Sequence, residues 1–232
     1  MDILAAAYQF EIRFTRILNF SNVINTSLSP FVAIASNINV ENENTKDVRY
    51  TLDFAEAQYK IIIAWDRLVI RYEGKIESLC EANSPIEEPF FNLYDRITSL
   101  EEFGKTTDYL LYALMINKME GNKADLLAAF MSKYYQAEKI KSILSEPTDL
   151  AIIIDKKLKD DYTQVIHGPY LGLDDLNARK AFPNYINPDK FDGLGEMAEI
   201  KIFRKADKMN FSTFKLIFKE SNQILNKLWP KN

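Results

Sequence analysis

The chain has 232 residues, 47% hydrophobic and 27% charged, with 33 Asp and Glu against 29 Lys and Arg for a formal net charge of -4. That length suits one large domain or two small ones with a sizeable core. The acid excess argues against a general nucleic-acid binder, and no apolar run approaches the roughly 18–20 residues that cross a bilayer. The single cysteine, Cys80, excludes an internal disulfide and suits a reducing compartment. The opening residues show neither the basic start nor the long apolar run of a signal peptide, so the cytoplasm is the expected location.

Residues 8–14 alternate apolar and polar, which predicts a strand with Tyr8, Phe10, Ile12 and Phe14 on its buried face. Residues 20–37 have mixed helical character, with Ser29 suited to an N-cap and Pro30 to a first turn. Residues 37–47 are rich in Asn and Glu and read as an exposed loop. Three strands follow. In the first, Val48, Tyr50, Leu52 and Phe54 alternate with Arg49, Thr51 and Asp53. Tyr59, Ile61, Ile63 and Trp65 then lead through Asp66-Arg67 into Leu68, Ile70 and Tyr72, an antiparallel hairpin. Pro89, beside Glu87 and Glu88, suits the first turn of a helix with Phe90, Leu93, Tyr94, Ile97 and Leu100 on one face and Gly104 just past its end.

Residues 109–119 form a nearly continuous apolar run, predicting a strand covered on both faces. Residues 125–140 read as one helix, and residues 150–157 and 162–167 as a hairpin across Lys159-Asp160. Residues 168–196 hold Gly168, Pro169, Gly172, Pro183, Pro188, Gly193 and Gly195, and form the longest irregular stretch. A short strand at 199–204 precedes a helix at 211–229 with Phe214, Phe218, Ser221, Leu225 and Leu228 on its core face. The same order of elements thus runs through residues 1–104 and again through 105–232. The expected class is α+β: a mainly antiparallel sheet of about eight strands in two pseudo-repeats, backed by three or four helices and ending in a long helix. The halves are expected to form one integrated domain.

Four stretches carry a resemblance. They are Phe10-Glu11-Ile12-Arg13-Phe14, the hairpin Ile63-Ala64-Trp65-Asp66-Arg67-Leu68-Val69-Ile70-Arg71, the run at 111–117, and Glu199-Ile200-Lys201-Ile202-Phe203-Arg204 before an amphipathic helix. In this order they resemble an uncharacterised, sporadically distributed bacterial family scattered in the manner of mobile or defence-linked genes. The resemblance spans roughly residues 8–229 and rests on strand patterns, with no catalytic signature among them. It departs where that family places an Asp-rich strand near its C-terminus, because Lys201 stands among those positions here. It implies a two-repeat α+β fold and a phage or defence setting, with no activity to carry over.

Phosphate loops, dinucleotide fingerprints, nucleophile elbows and zinc motifs are all missing from the sequence. His167, in His167-Gly168-Pro169-Tyr170 at the mouth of the long stretch, is the one side chain that ordinarily titrates near neutrality. A strand-end histidine more often bonds a turn than serves as a general base, which needs an orienting partner. Cys80 reads as a packed residue. The sharpest enzymatic reading is a Mg²⁺-dependent nuclease or phosphodiesterase. Period two puts Glu199 and Lys201 on one strand face, and Asp189 or Asp192 precedes them. The chosen triplet is Asp192, Glu199 and Lys201, although Glu-x-Lys is also common on a solvated strand. Asp174 and Asp175 could bind a cation or simply start a helix. Residues 199–232 carry eight Lys and Arg against three acids, and Lys215, Lys219, Gln223, Lys227 and Lys231 lie four apart along one stripe of the last helix. That stripe could meet phosphates or be an ordinary solvated face.

The expected function is a non-catalytic module that binds a protein partner through the sheet face or the 168–196 stretch. No cofactor is expected outside the nuclease reading. Candidate binding residues are His167, Tyr170, Asp174, Asp175, Lys215, Lys219 and Lys227. Besides the nuclease, a small-ligand sensor with a pocket between the halves stands as an alternative. Nucleic acid is a weaker expectation than protein, and no membrane is expected.

Overall fold

In a computed structural model that describes residues 3–81, 84–174 and 188–230, both halves of the chain share one sheet. The first half supplies β1 (Ile3–Phe14), β2 (Asn37–Glu41), β3 (Arg49–Phe54), β4 (Tyr59–Ala64) and β5 (Arg67–Tyr72). The second supplies β6 (Thr106–Lys118), β7 (Ile152–Leu158), β8 (Asp161–Tyr170) and β9 (Gly195–Lys205). Their order across the sheet is β2-β3-β4-β5-β1-β6-β9-β8-β7, and every neighbouring pair is antiparallel. The long strands β1 and β6 lie side by side at the centre and join the halves. The described helices are α1 (Phe20–Leu28), α2 (Ile76–Cys80), α3 (Glu87–Thr98), α4 (Lys123–Tyr134), α5 (Ala137–Ile143) and α6 (Phe211–Leu228). The α+β class and the long final helix are as the pattern predicts.

Strand register decides which side chains build the core. One row crosses all nine strands as Ile38, Leu52, Ile61, Ile70, Phe10, Leu111, Ile202, Thr163 and Lys156. From Leu52 to Ile202 its members are almost fully buried, because α1, α3 and α6 lay their apolar stripes over them. Phe10 sits at the middle, its ring edge-on to Phe214 at 5.0 Å and close to Phe90, Tyr109 and Phe218. Such rings bury large apolar areas and prefer these tilted contacts. On α6 the predicted face holds at Phe214, Phe218, Ser221 and Leu225, while Lys219 and Lys227 face solvent. Asn210 caps this helix, its side chain accepting from the Thr213 amide.

Several local expectations are corrected. The ninth strand is β2, within the residues read as a loop. Its Asn-rich sequence disfavours a strand, but pairing with β3 imposes one, and the turn beyond it is taken by Asn42 and Asn44 at positive φ. Ser29 does not start a long helix: α1 ends before it, and Ser29–Phe31 is one 3-10 turn holding Pro30. The helix expected at 125–140 begins earlier, capped by Asn122, and breaks at Tyr135 and Gln136, both extended. The Tyr135 hydroxyl donates to the Ala151 carbonyl, a tertiary bond that the helical period does not reveal. Gly104 is not a helix cap. It lies against Thr15, whose side chain leaves no room for a Cβ. The stretch 168–196 is less irregular than read, since β8 runs on through Tyr170 and β9 begins at Gly195. A Cβ on Gly195 would collide with the Asn117 carbonyl across the β6–β9 pair, which explains a glycine in a central strand.

Candidate functional site: the polar face of the sheet

A one-residue step along each strand turns every side chain to the opposite face. There a second row crosses the sheet as Asn37, Asp53, Lys60, Arg71, Gln9, Tyr112, Lys201, Gln164 and Asp155, one polar residue from each of the nine strands. Among the described residues no helix packs on this row. A trough of about 1010 Å³ opens over its first half, lined among others by Gln9, Glu11, Arg49, Lys60, Arg67 and Arg71.

The floor of the trough is a connected network. The Arg71 guanidinium donates through Nε to the Gln9 side-chain oxygen at 2.7 Å, and the Gln9 amide donates to Glu11 Oε1 at 2.7 Å. The other Glu11 oxygen accepts from Arg13 Nη2 at 3.1 Å and lies 3.6 Å from Arg67 Nη1. Gln9 and Glu11 are 3% and 5% exposed, so their polar atoms rely on these partners in place of water. Arg67 is held twice more by Asp66, at 2.9 Å on each oxygen, which raises its pKa. Arg71 differs. Its side chain bonds a neutral amide, and among the described residues no carboxylate lies within ion-pairing distance of it. Burial therefore pushes its pKa below the ordinary value, although Glu11 and Glu41 pull the other way.

Further along the row the Lys201 ammonium lies 2.8 Å from Glu199 Oε1 and 5.8 Å from the centre of the Tyr112 ring. Glu199 is 2% exposed, so this lysine stands over a buried carboxylate. The structure thus brings Glu199 and Lys201 together, on one face as predicted. Asp192, by contrast, is exposed. Asp192 lies before β9, whereas Glu199 is four residues into it, a span of about 13 Å at strand rise. Among the described residues no group of three or more His, Cys, Asp or Glu side chains is placed to hold a metal ion.

His167 and Tyr170 lie on opposite faces of β8, 1% and 0% exposed. The Tyr170 hydroxyl donates to the Phe191 carbonyl at 2.6 Å, in a small apolar cluster with Ala7, Leu114 and Met197. His167 does have orienting partners. Its Nδ1 faces the Met197 carbonyl at 3.0 Å and so carries the proton, leaving Nε2 to accept from the Tyr134 hydroxyl at 3.2 Å. Glu196 lies 3.6 Å from Nε2 and is itself held by the Trp229 indole N–H at 2.9 Å and by Lys133 at 3.4 Å. Burial holds the His167 pKa below the ordinary imidazole value, against the pull of the Met197 carbonyl and Glu196. This cluster ties α4 and the end of α6 to the sheet, with His167, Glu196 and Trp229 buried and Lys133 at its solvent edge.

Asp174 is exposed, and Asp175 lies outside the described residues. Lys215 rests 4.6 Å over the Phe211 ring, while Lys219 and Lys227 are exposed on the outer face of α6. Cys80 is half-buried, its thiol pushed up to about 11 by burial and by Glu77, which makes it a poor nucleophile. The residues missed by sequence reasoning are those of the trough: Gln9, Glu11, Lys60 and Arg71. Their alternation with apolar neighbours was visible, but their convergence depends on register between strands. No family model matches this chain, and no curated protein matches it.

Proposed function

We propose that this protein is a non-catalytic binding module that docks a protein partner on the polar face of its sheet. The observation that carries this reading is the half-buried Arg71. Among the described residues it is a cation without a carboxylate partner, whereas the other cations of its row are matched, Lys60 by Asp53 at 3.2 Å and Lys201 by Glu199. A carboxylate from a partner would complete it as a charge-assisted pair. The trough carries five Lys and Arg against six Asp and Glu, a balance that suits a mixed-charge protein surface better than a polyanion. In each half the opening strand lies beside the closing strand, β1 beside β5 and β6 beside β9, which supports reading 1–104 and 105–232 as pseudo-repeats of one integrated domain.

The test is capture of partners by the tagged full chain from its source cells, with and without EDTA. A stoichiometric protein that survives EDTA and is lost with Arg71→Glu supports the proposal. A partner indifferent to Arg71→Glu would overturn it. So would nucleic acid retained only with Mg²⁺ and lost with Glu199→Ala, which would instead favour the nuclease.

A further inference from the structure

At the far edge of the sheet from most of the trough, β7 has one strand neighbour among the described residues, β8. Its outer side therefore offers backbone N–H and C=O groups to a further strand. Six of its seven residues are exposed, including Ile153 (62%), Ile154 (52%) and Leu158 (62%). Native edges are commonly short, charged or covered, and large aliphatic side chains are poor protection for one. The β7–β8 connection is a two-residue turn at Lys159-Asp160, so Leu158 and Asp161 face each other across it as a hydrogen-bonded pair. Alternation then turns the backbone groups of Ile153, Asp155 and Lys157 outward.

We infer that β7 pairs antiparallel with β7 of a second copy, about a two-fold axis perpendicular to the sheet at Lys156. An isologous antiparallel contact keeps each copy's polar face on the same side. Centred on Lys156, it places Asp155 opposite Lys157 of the second copy twice, and Ile154 opposite Leu158 of the second copy twice. Asp155 and Lys157 are both outward-bonding residues, so the backbone phase of the edge fits this register. Asp155 is already held in place by the Tyr162 hydroxyl and the Gln164 amide, each at 2.9 Å, and keeps acceptor capacity for a lysine. Lys157 has no carboxylate within ion-pairing distance among the described residues, so the contact supplies the partner it lacks. The two Lys156 side chains meet at the axis, where their stems can lie along Ile154 and Leu158 with the ammonium groups in water. Centring the contact on Asp155 would set the two Asp155 carboxylates together and leave Lys157 opposite Ile153, a poorer match. The pairing joins two nine-stranded sheets into one of eighteen strands.

Sedimentation of the full chain over a concentration series tests this directly. The wild type is expected to show a reversible dimer. Lys157→Asp should weaken it at least about tenfold, and Asp155→Lys with Lys157→Asp should restore it by exchanging the charges. Ile154→Lys, at an exposed site, should also abolish it while leaving the melting temperature nearly unchanged. A monomer at about 0.5 mM, or a dimer whose dissociation constant ignores both Lys157→Asp and Ile154→Lys, would overturn the inference. Should the charge-exchanged variant fail to fold, the two single variants still decide.

Discussion

The two faces of this sheet are built by the same strands one residue out of phase, and they are held together by different physics. On one, Leu52, Ile61, Ile70, Phe10, Leu111 and Ile202 lie under helices and touch no water. On the other, Asp53, Lys60, Arg71, Gln9, Tyr112 and Lys201 occupy the neighbouring row. Antiparallel sheets often leave one face to solvent, so polarity alone says little about function. The burial and mutual bonding of Gln9 and Glu11 say more, because a merely solvated face has no need of a closed network. The faces teach that stability here resides in the apolar row, and that the polar row leaves one of its three cations, Arg71, without a carboxylate among the described residues.

The largest effect that sharpens this division is expected on the covered face. Phe10→Ala removes the ring at the centre of the aromatic cluster and should cost about 3–5 kcal/mol in urea denaturation. Its loss by less than about 1 kcal/mol would mean that the helical layer is not the main core. On the polar face, Glu11→Ala leaves Gln9 without an acceptor and Arg13 and Arg67 short of a carboxylate. A cost of about 1–3 kcal/mol is expected in the same experiment. Acidification gives a smaller, directional signal. Because burial lowers the His167 pKa, the unfolded chain binds this proton more tightly than the folded one. Its contribution is therefore complete above the ordinary value of about 6.5 and declines as pH falls below it. Unfolding free energies measured between neutral and mildly acidic pH should show this slope, and His167→Gln should flatten it whatever its effect at neutral pH. Arg71→Ala takes the donor from the buried Gln9 oxygen but breaks no ion pair among the described residues, so a cost of about 1–2 kcal/mol is expected. A larger loss would make Arg71 a structural residue and remove the basis of the proposed docking face.

Much of the fold was legible because period two is a strong signal. Phe10, Leu52, Ile61, Ile70, Leu111 and Ile202 each sit in a stretch whose alternation or apolar run marks a strand, and α6 shows its face in Phe214, Phe218 and Leu225. Where a local preference opposed a tertiary one, the sequence misled. The residues of β2 look like a loop and become a strand only because β3 is there to pair with them. Helix α4 ends where Tyr135 turns away to bond Ala151. The site was less legible. Glu199 and Lys201 share a face by simple alternation, so that pair could be read directly. Arg71 meeting Gln9, or His167 meeting Glu196 and Trp229, depends on pairing residues 29 to 62 positions apart, which no local pattern encodes.

Differential acetylation of lysines in the captured complex tests the division of faces most directly. Lys60 and Lys201 lie on the polar row, whereas Lys219 and Lys227 lie on the outer face of α6. Partner binding is predicted to shield Lys60 and Lys201 and to leave Lys219 and Lys227 as reactive as in the free protein. Shielding confined to Lys219 and Lys227 would contradict the account and move the docking surface to the helical layer.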